Sequence, residues 1–290
     1  MIPLINSLTP VEQYSGVLYK RDDLFAPYGS GQVNGGKVRQ AMQLLQPLES
    51  MIRSKYRGVV THTQVHSTTG TIVAKLCHSM RIPCVVCIGG STPSTLDNHH
   101  MMRLAKHYGA DIRNVCGTGM HGPVQARMRE LMGRENLFDA VFSHNIEAYQ
   151  GAILDSTTNQ VENIPNELDQ LVMPVGSGIH FAAMIRGLHR YGKRVKRVVG
   201  LCVGPERSKN INAWINPLEY PAYPYELHCL NTVYGKPLDK MFGGGMLDQL
   251  YEAKAHAWMD ENLDTKNNST LFWVVGRRPT ERETDITIGA

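Results

Sequence analysis

Three short turns in this chain carry residue types that could do chemistry. The apolar run QLVMPV ends in Gly176-Ser177-Gly178-Ile179-His180 and continues into FAAMIRGLHRY. A strand that gives way to an amphipathic helix in this manner gathers free backbone N–H groups around one point, and the helix N-terminus adds roughly half a positive charge. Glycine permits the close approach and unusual φ values such a turn needs, so the segment reads as an anion cradle. It is not a P-loop, since no Gly-Lys-Ser/Thr follows, and it lacks the third glycine of the dinucleotide fingerprint. A plain tight turn between strand and helix would have the same sequence. Nearer the N-terminus, Lys37 directly follows Gly35 and Gly36 and opens a helix whose apolar positions Met42, Leu45 and Leu48 recur at helical spacing. An amine so placed is either an ordinary surface lysine or one desolvated and held against a carbonyl to form a Schiff base. The third turn, His66-Ser67-Thr68-Thr69-Gly70, is polar and precedes a helical stretch.

These turns need elements to hold them. From Gly58 onward, short β-branched or apolar runs alternate with longer helical stretches, a pattern that packs as parallel sheet covered by helices. The class is α/β. Strands are expected at GVVTH, PCVVCI and DIRNVC, with helices over 68–80, 94–108 and 122–132. A second series begins near Glu147 with a helix, then QLVMPV, a helix over 179–191, the strand VKRVVGLCVG and the late strands LHCLN and TLFWVVG. Two open, twisted α/β modules with mostly parallel sheets are expected, with a ligand cleft between them at the carboxyl ends of strands.

Composition narrows the classes further. With 290 residues, 42% hydrophobic and 19% charged, the chain is neither disordered nor collagen-like. A formal charge of +4 lacks the concentrated basic stripe of a dedicated duplex binder, which leaves nucleic acid as an open but not required partner. Apolar runs such as 83–89 fall far short of the roughly 20 residues that cross a bilayer, and MIPLINSLTPVEQY has no secretory pattern. A cytoplasmic protein without a membrane partner or a metal site is expected, its six cysteines being buried thiols. Cys84 and Cys87 have CxxC spacing, yet on a strand they point to opposite faces. The sequons around Asn267 and Asn268 are inert without secretion. The run KRVKR over 193–197 reads as the solvated edge of a strand or as a phosphate or nucleic-acid contact.

Taken in chain order, KRDDL at 20–24, NGGKVRQAM at 34–42, VHSTTG at 65–70, GSGIHFAA at 176–183, TVYGKPLDK at 232–240 and GGGMLDQLYEAKAHAW at 243–258 resemble one architecture. It is that of the pyridoxal-phosphate enzymes of fold type II, the tryptophan-synthase-β type, and within them the chain is most similar to 1-aminocyclopropane-1-carboxylate deaminase and D-cysteine desulfhydrase. The resemblance spans roughly residues 15 to 276 and implies pyridoxal 5'-phosphate as cofactor. Lys37 falls on the Schiff-base lysine. Ser67 matches the serine beside the cofactor ring, and Thr68 replaces the asparagine that contacts the phenolic oxygen. Gly176, Ser177 and Gly178 keep the phosphate loop, with Ile179 and His180 in place of a glycine and a threonine. Tyr234 and Tyr251 fall on the two active-site tyrosines, and Glu252 falls on the acidic partner of the ring nitrogen. Gln40 stands where the deaminase carries a lysine near the phosphate.

The implied activity is that of a lyase or deaminase. It acts at the α-carbon of an amino acid or amino-acid-like substrate through a Lys37 Schiff base and a carbanion, with Lys37, Ser67, Tyr234 and Tyr251 as catalytic groups. Ser67, Thr68, Thr69 and Gly70, at a helix N-terminus, would seat the substrate carboxylate. The resemblance also implies a homodimer, a larger cofactor-binding domain of residues 1–46 plus 145–290, and a smaller α/β domain of residues 47–144. Three departures bear on the mouth of the site: a longer, glycine-rich loop before Lys37, a shorter segment between the tyrosines, and Thr68 itself. A wider mouth would admit an amino acid carried on something larger. The alternative implied is a phage-type pyridoxal-phosphate enzyme that processes, for example by decarboxylation, an amino-acid group attached to a thymine base in DNA.

Overall fold

The strand Thr270–Val274 is buried along its whole length because it has parallel neighbours on both sides, Val17–Arg21 and Glu167–Val175. An unbroken apolar run, TLFWV, is what a strand covered on both faces requires. The computed structural model that describes this arrangement covers residues 5–140, 146–215 and 223–290. It divides into two units, the first comprising residues 1–27, 34–36 and 154–277 and the second residues 28–33, 37–153 and 278–290. The helix Gly36–Leu45 thus lies, from Lys37 on, with the second unit. So does the C-terminal helix Glu281–Gly289, tied to the helix His100–His107 by the Arg103–Asp285 ion pair at 2.8 Å.

The first unit holds a six-stranded sheet in the spatial order Val11–Tyr14, Val17–Arg21, Thr270–Val274, Glu167–Val175, Arg194–Cys202, Glu226–Cys229. All its pairings are parallel except the edge hairpin. That hairpin turns at Ser15 and Gly16, with φ of 49° and 86°, the two positive values that a tight two-residue turn demands. Phe272, Val172, Val199 and Leu201 form one core with Ala253, Ala255 and Met259 of the helix Glu252–Asn262. Burying each large apolar side chain contributes roughly 1.5–3 kcal/mol, and this packing fixes that helix against the sheet. The KRDDL segment is built into the same interior. Lys20 is fully buried and donates to Thr9 O at 2.7 Å and Asn163 Oδ1 at 2.6 Å. Asp22 accepts from Thr9 Oγ1 at 2.8 Å and from the Trp273 indole N–H at 2.9 Å.

The second unit holds a four-stranded, wholly parallel sheet in the order Ala110–Cys116, Cys84–Gly89, Gly58–His62, Leu137–Asp139. Cys87 packs with Val124, Met128 and Leu131 of the helix His121–Glu135. Cys84 instead hydrogen-bonds Cys77 of the helix Thr69–Ser79, so the two thiols of the CxxC spacing face opposite sides of the sheet. The Cys77 bond and burial raise the Cys84 thiol well above its usual range, and burial pushes Cys87 up to about 12, which leaves both inert. Cys229 departs from the expectation of buried thiols: it is exposed.

One local expectation is corrected and one is refined. The stretch 94–108 is not one helix but two, Pro93–Asn98 and His100–His107, because His99 is extended (φ −68°, ψ 120°) and caps the second. The run at 193–197 is the solvated start of the strand Arg194–Cys202, with the Arg194 and Lys196 side chains exposed, although that strand lies between two others in the sheet. Its charges are taken up locally: Lys193 donates to Glu162 O, Ile164 O and Asn166 Oδ1 at 2.8–2.9 Å. Arg194, Lys196 and Arg197 pair with Glu167, Asp169 and Glu226.

Candidate active site

The glycine cradle follows the strand Glu167–Val175, and Val275-Gly276 follows the adjacent parallel strand Thr270–Val274. Two carboxyl ends of neighbouring strands therefore open on the same side, where open α/β sheets place ligands. Gly178 has φ of 92° and precedes the helix Ile179–Arg190, whose first turn no side chain caps. A Cβ on Gly178 would lie 2.9 Å from Ile211 Cγ1, so both backbone angle and space require glycine there. Ser177 is exposed, while Ile179 and His180 are buried. Arg207, which sequence reasoning did not single out, donates through Nε to Gly176 O at 3.0 Å and brings a fixed positive charge to the cradle. Its only sequence signal is a basic residue shortly after the next strand.

The turn that carries Lys37 is fixed by the first unit. Gly35 N–H donates to Phe25 O and Gly36 N–H to Val275 O, each at 2.8 Å, and Arg277 N–H donates to Asn34 Oδ1 at 2.8 Å. A Cβ on Gly35 would come within 2.4 Å of Val275 O, and one on Gly36 within 2.7 Å of His180 Nε2. The paired glycines thus let the turn lie directly on the 275–276 backbone and on the first turn of the cradle helix. Lys37 follows at the start of the helix Gly36–Leu45. On the same helix Gln40 is buried, and its Nε2 has no hydrogen-bond partner among the described residues.

Tyr234, Tyr251 and Glu252 come together in the first unit. Tyr251 lies against the cradle, with its Cε1 3.2 Å from where a Gly176 Cβ would be. Its hydroxyl donates to Tyr234 Oη at 3.1 Å, with the rings edge to face at 5.6 Å. Lys254 holds the Tyr234 segment by donating to Val233 O at 2.8 Å and Tyr234 O at 3.0 Å. Asp248 shapes the turn before Tyr251 by accepting from Leu250 and Tyr251 N–H at 3.0 and 3.1 Å. Glu252 is 4% exposed and its Oε1 accepts from Gly276 N–H at 3.3 Å. One two-residue segment, Val275-Gly276, thus touches both the glycine turn before Lys37 and the Glu252 carboxylate.

In the second unit, Ser67, Thr68 and Thr69 are half-buried at the start of the helix Thr69–Ser79, and the Thr68 side chain does not cap it. Ser67 Oγ accepts from Thr69 N–H at 3.3 Å and donates to Thr69 Oγ1 at 3.2 Å. Gly70 allows helix and strand to meet closely, since a Cβ there would lie 2.9 Å from Thr63 Cγ2 and Val86 Cγ1. His66 Nδ1 is 3.0 Å from His99 Nε2, and Arg278 donates to His66 O at 2.6 Å. Burial and the Arg278 charge lower the His66 pKa. Burial, with His100, His66 and Arg278, lowers that of His99 to about 4. Among the described residues, no helix is long and apolar enough to cross a membrane.

Comparison with known proteins places these features in context. A family model described as "Pyridoxal-phosphate dependent enzyme" matches residues 2–224. The O-seryl-dTMP PLP-dependent decarboxylase of Salmonella phage ViI is 23% identical over an alignment covering 91% of this chain and 78% of that protein. Among solved structures, a homologue of ACC deaminase superposes with a TM-score of 0.72 at 18% identity, covering 95% of this chain and 91% of that one. Threonine deaminase isoform 2 from Solanum lycopersicum does so with a TM-score of 0.62 at 14% identity, covering 97% and 86%. At these identities the two structures show the fold alone.

Proposed function

This chain belongs to the family of pyridoxal-phosphate dependent enzymes, and from that premise we propose that it decarboxylates an amino acid carried on a nucleotide. The observation that carries the reading is its relatedness, over nearly its whole length, to a phage decarboxylase of O-seryl-dTMP. When bound, the cofactor supplies an electron sink for the pair left at the α-carbon when a bond there breaks.

The residues present fit that group. The uncapped helix start behind Gly178 and the charge of Arg207 suit a phosphate, and the buried Gln40 amide has a donor that no described protein group takes up. In this reading Lys37 is the amine that attaches the aldehyde. The amides of Gly176 to His180 and the Ser177 hydroxyl would hold the phosphate, and Thr68 would take the place of the residue that contacts the phenolic oxygen. Glu252 beside the ring nitrogen would favour its protonated form, as an opposite charge does. Ser67, Thr68, Thr69 and Gly70 receive an oxyanion of the substrate at the helix start. Loss of the carboxylate as carbon dioxide requires a proton in its place. The Lys37 amine and the Tyr234 hydroxyl, whose oxygen already accepts from Tyr251, are the groups that would hold it.

The Tyr234–Tyr251 hydroxyl pair favours a second reading, a deaminase or lyase acting on a free amino acid. Substrate trials separate the two. The holoprotein is incubated with O-seryl-dTMP and, separately, with L-serine, D-cysteine and 1-aminocyclopropane-1-carboxylate, and the products are followed by mass spectrometry. Carbon dioxide released from the seryl nucleotide without ammonia supports the decarboxylase. Ammonia and a 2-oxo acid from a free amino acid replace it with the deaminase, and no reaction in any arm overturns both.

A further inference from the structure

The helix break at His99 sets three imidazoles side by side within the second unit. His99 Nδ1 accepts from Met101 N–H at 3.3 Å, its Nε2 meets His66 Nδ1 at 3.0 Å, and its ring stacks on His100 at 4.8 Å. A backbone N–H can only donate, so His99 Nδ1 carries no proton. The one proton of a neutral His99 is therefore on Nε2 and is donated to His66 Nδ1. His66 Nδ1 is then an acceptor, and the His66 proton must sit on Nε2. The opposite direction would leave His99 accepting at both nitrogens, which only an imidazolate can do. Adding a proton to either ring would remove one of the two acceptors and break the relay.

The surroundings agree with neutral rings. Arg278, 7% exposed, bonds the His66 carbonyl, and with burial it disfavours a second cation at His66, His99 and His100. Arg103 acts on His100 in the same sense, and Glu281 opposes it. Among the described residues His66 bonds through Nδ1 to His99 and shows no partner at Nε2, and the residue after it is Ser67.

We infer that His66 is a substrate-contacting residue: a neutral imidazole, locked by His99 as an Nε2–H donor, that binds an oxyanion of the substrate at the Ser67–Gly70 turn. The inference rests on the reading above that this turn receives substrate, and it adds a donor that the sequence did not reveal. Carboxylate and phosphate ester offer the same acceptor chemistry. A donor bonded to the carboxylate that is to be lost would stabilise the ground state and slow the reaction. Under decarboxylation the oxyanion held by His66 is therefore the nucleotide phosphate, and under deamination it is the α-carboxylate.

The test is an NMR spectrum of the holoenzyme carrying ¹⁵N-labelled histidine near neutral pH, with His66→Gln and His99→Leu variants supplying the assignments. Both His66 and His99 should show the Nε2–H tautomer. Titration with inorganic phosphate, dTMP and L-serine should shift the His66 Nε2 signal, and the arm that binds most tightly names the source of the oxyanion. His66→Gln, which offers an uncharged N–H, should bind that probe within about threefold of the wild type. His66→Leu should bind it about tenfold or more weakly, the size of one hydrogen bond to a charged group. His99→Leu releases the lock, so the affinity of this variant relative to the wild type, a ratio that cancels the probe's own ionisation, should rise as pH falls through the His66 pKa, which burial and Arg278 hold below the ordinary histidine value. A purely structural His99 would not introduce that pH dependence. An Nδ1–H tautomer at His66, an unshifted His66 signal with all three probes, or unchanged affinity in His66→Leu overturns the inference. If His66 responds to phosphate while no amino acid or seryl nucleotide is turned over, the assigned reaction fails and the donor stands. Turnover with an unresponsive His66 removes the donor alone.

Discussion

Replacing Gly178 by alanine should separate cofactor binding from folding. At φ of 92° an L-residue pays roughly 1–2 kcal/mol of backbone strain. The new Cβ would also lie 2.9 Å from Ile211 Cγ1, and Ile211 is fully buried, so it cannot swing into solvent. Overpacking of this kind costs about 1–3 kcal/mol, giving roughly 2–5 kcal/mol in all. The loop can relieve that strain by turning its amides away from the cradle, which would weaken pyridoxal-phosphate affinity by at least about tenfold, the equivalent of 1.4 kcal/mol. Gly192 is the control. It also has positive φ, 60°, and closes the turn after the same helix, but its Cβ would meet nothing within 4 Å. Gly192→Ala should lose only the backbone strain in stability and leave cofactor affinity intact. The assay titrates dialysed apoprotein with pyridoxal phosphate by visible absorbance, alongside urea unfolding. If Gly178→Ala loses stability yet holds the cofactor as tightly as the wild type, the phosphate does not rest in this turn.

Lys37→Ala should keep the wild-type circular dichroism spectrum but lose both turnover and the visible band near roughly 410–430 nm expected of a lysine-attached cofactor, and borohydride should bleach that band in the wild type only. Glu252→Gln retains an oxygen for the Gly276 N–H, so its urea midpoint should stay close to wild type while kcat falls by about 100-fold or more, a general-catalysis-sized loss; an unchanged kcat would remove Glu252 from the site. Because folding depresses the His99 pKa from 6.5 to about 4, the unfolded chain binds that proton first. Stability from this group is complete above pH 6.5 and declines as pH falls toward 4. His99→Gln should flatten the decline in urea midpoint across that window, and an identical slope in the two proteins would contradict neutral burial of His99.

The alternation of apolar runs and helical stretches after Gly58 was enough to read most strands of both parallel sheets, because buried strands must be apolar wherever helices cover them, but the three-residue edge strand Leu137–Asp139 was too short to show. The N-terminal hairpin was missed although Ser15-Gly16 sits between two β-rich runs. The alternation there is brief, and the turn depends on a positive φ at a serine, a conformation that residue seldom adopts. The break at His99 has no proline or glycine to announce it, since its cause is an imidazole accepting a backbone N–H at the start of the next helix. Arg207 and His66 were illegible for a different reason. Their importance lies in partners distant in sequence, Gly176 O and His99 Nε2, and spacing along the chain does not encode such contacts. The paired glycines before Lys37 were legible as a turn. That they are needed for contact with the 275–276 backbone was not.

That contact bears on how this chain could change its reaction without losing its cofactor. The segment Val275-Gly276 accepts from Gly36 N–H and donates to Glu252, and Gly36 in turn lies against His180 at the head of the cradle helix. The turn that delivers Lys37, the carboxylate that would set the strength of the electron sink, and the helix that would hold the phosphate therefore share one rigid neighbourhood of backbone hydrogen bonds. A Cβ at Gly276 would already press on Asn34 O and Gly35 Cα at 3.2 Å, so this neighbourhood has little room for side-chain variation. The Ser67–Gly70 turn and its histidines belong to a different unit, held by side-chain bonds among His66, His99 and Arg278. Substitutions there would alter which oxyanion the proposed substrate turn takes without disturbing the backbone contacts around Lys37 and Glu252. Divergence of substrate within this family is thus expected to concentrate on the polar turn, where Thr68 already departs from the pattern of the deaminase that the chain resembles.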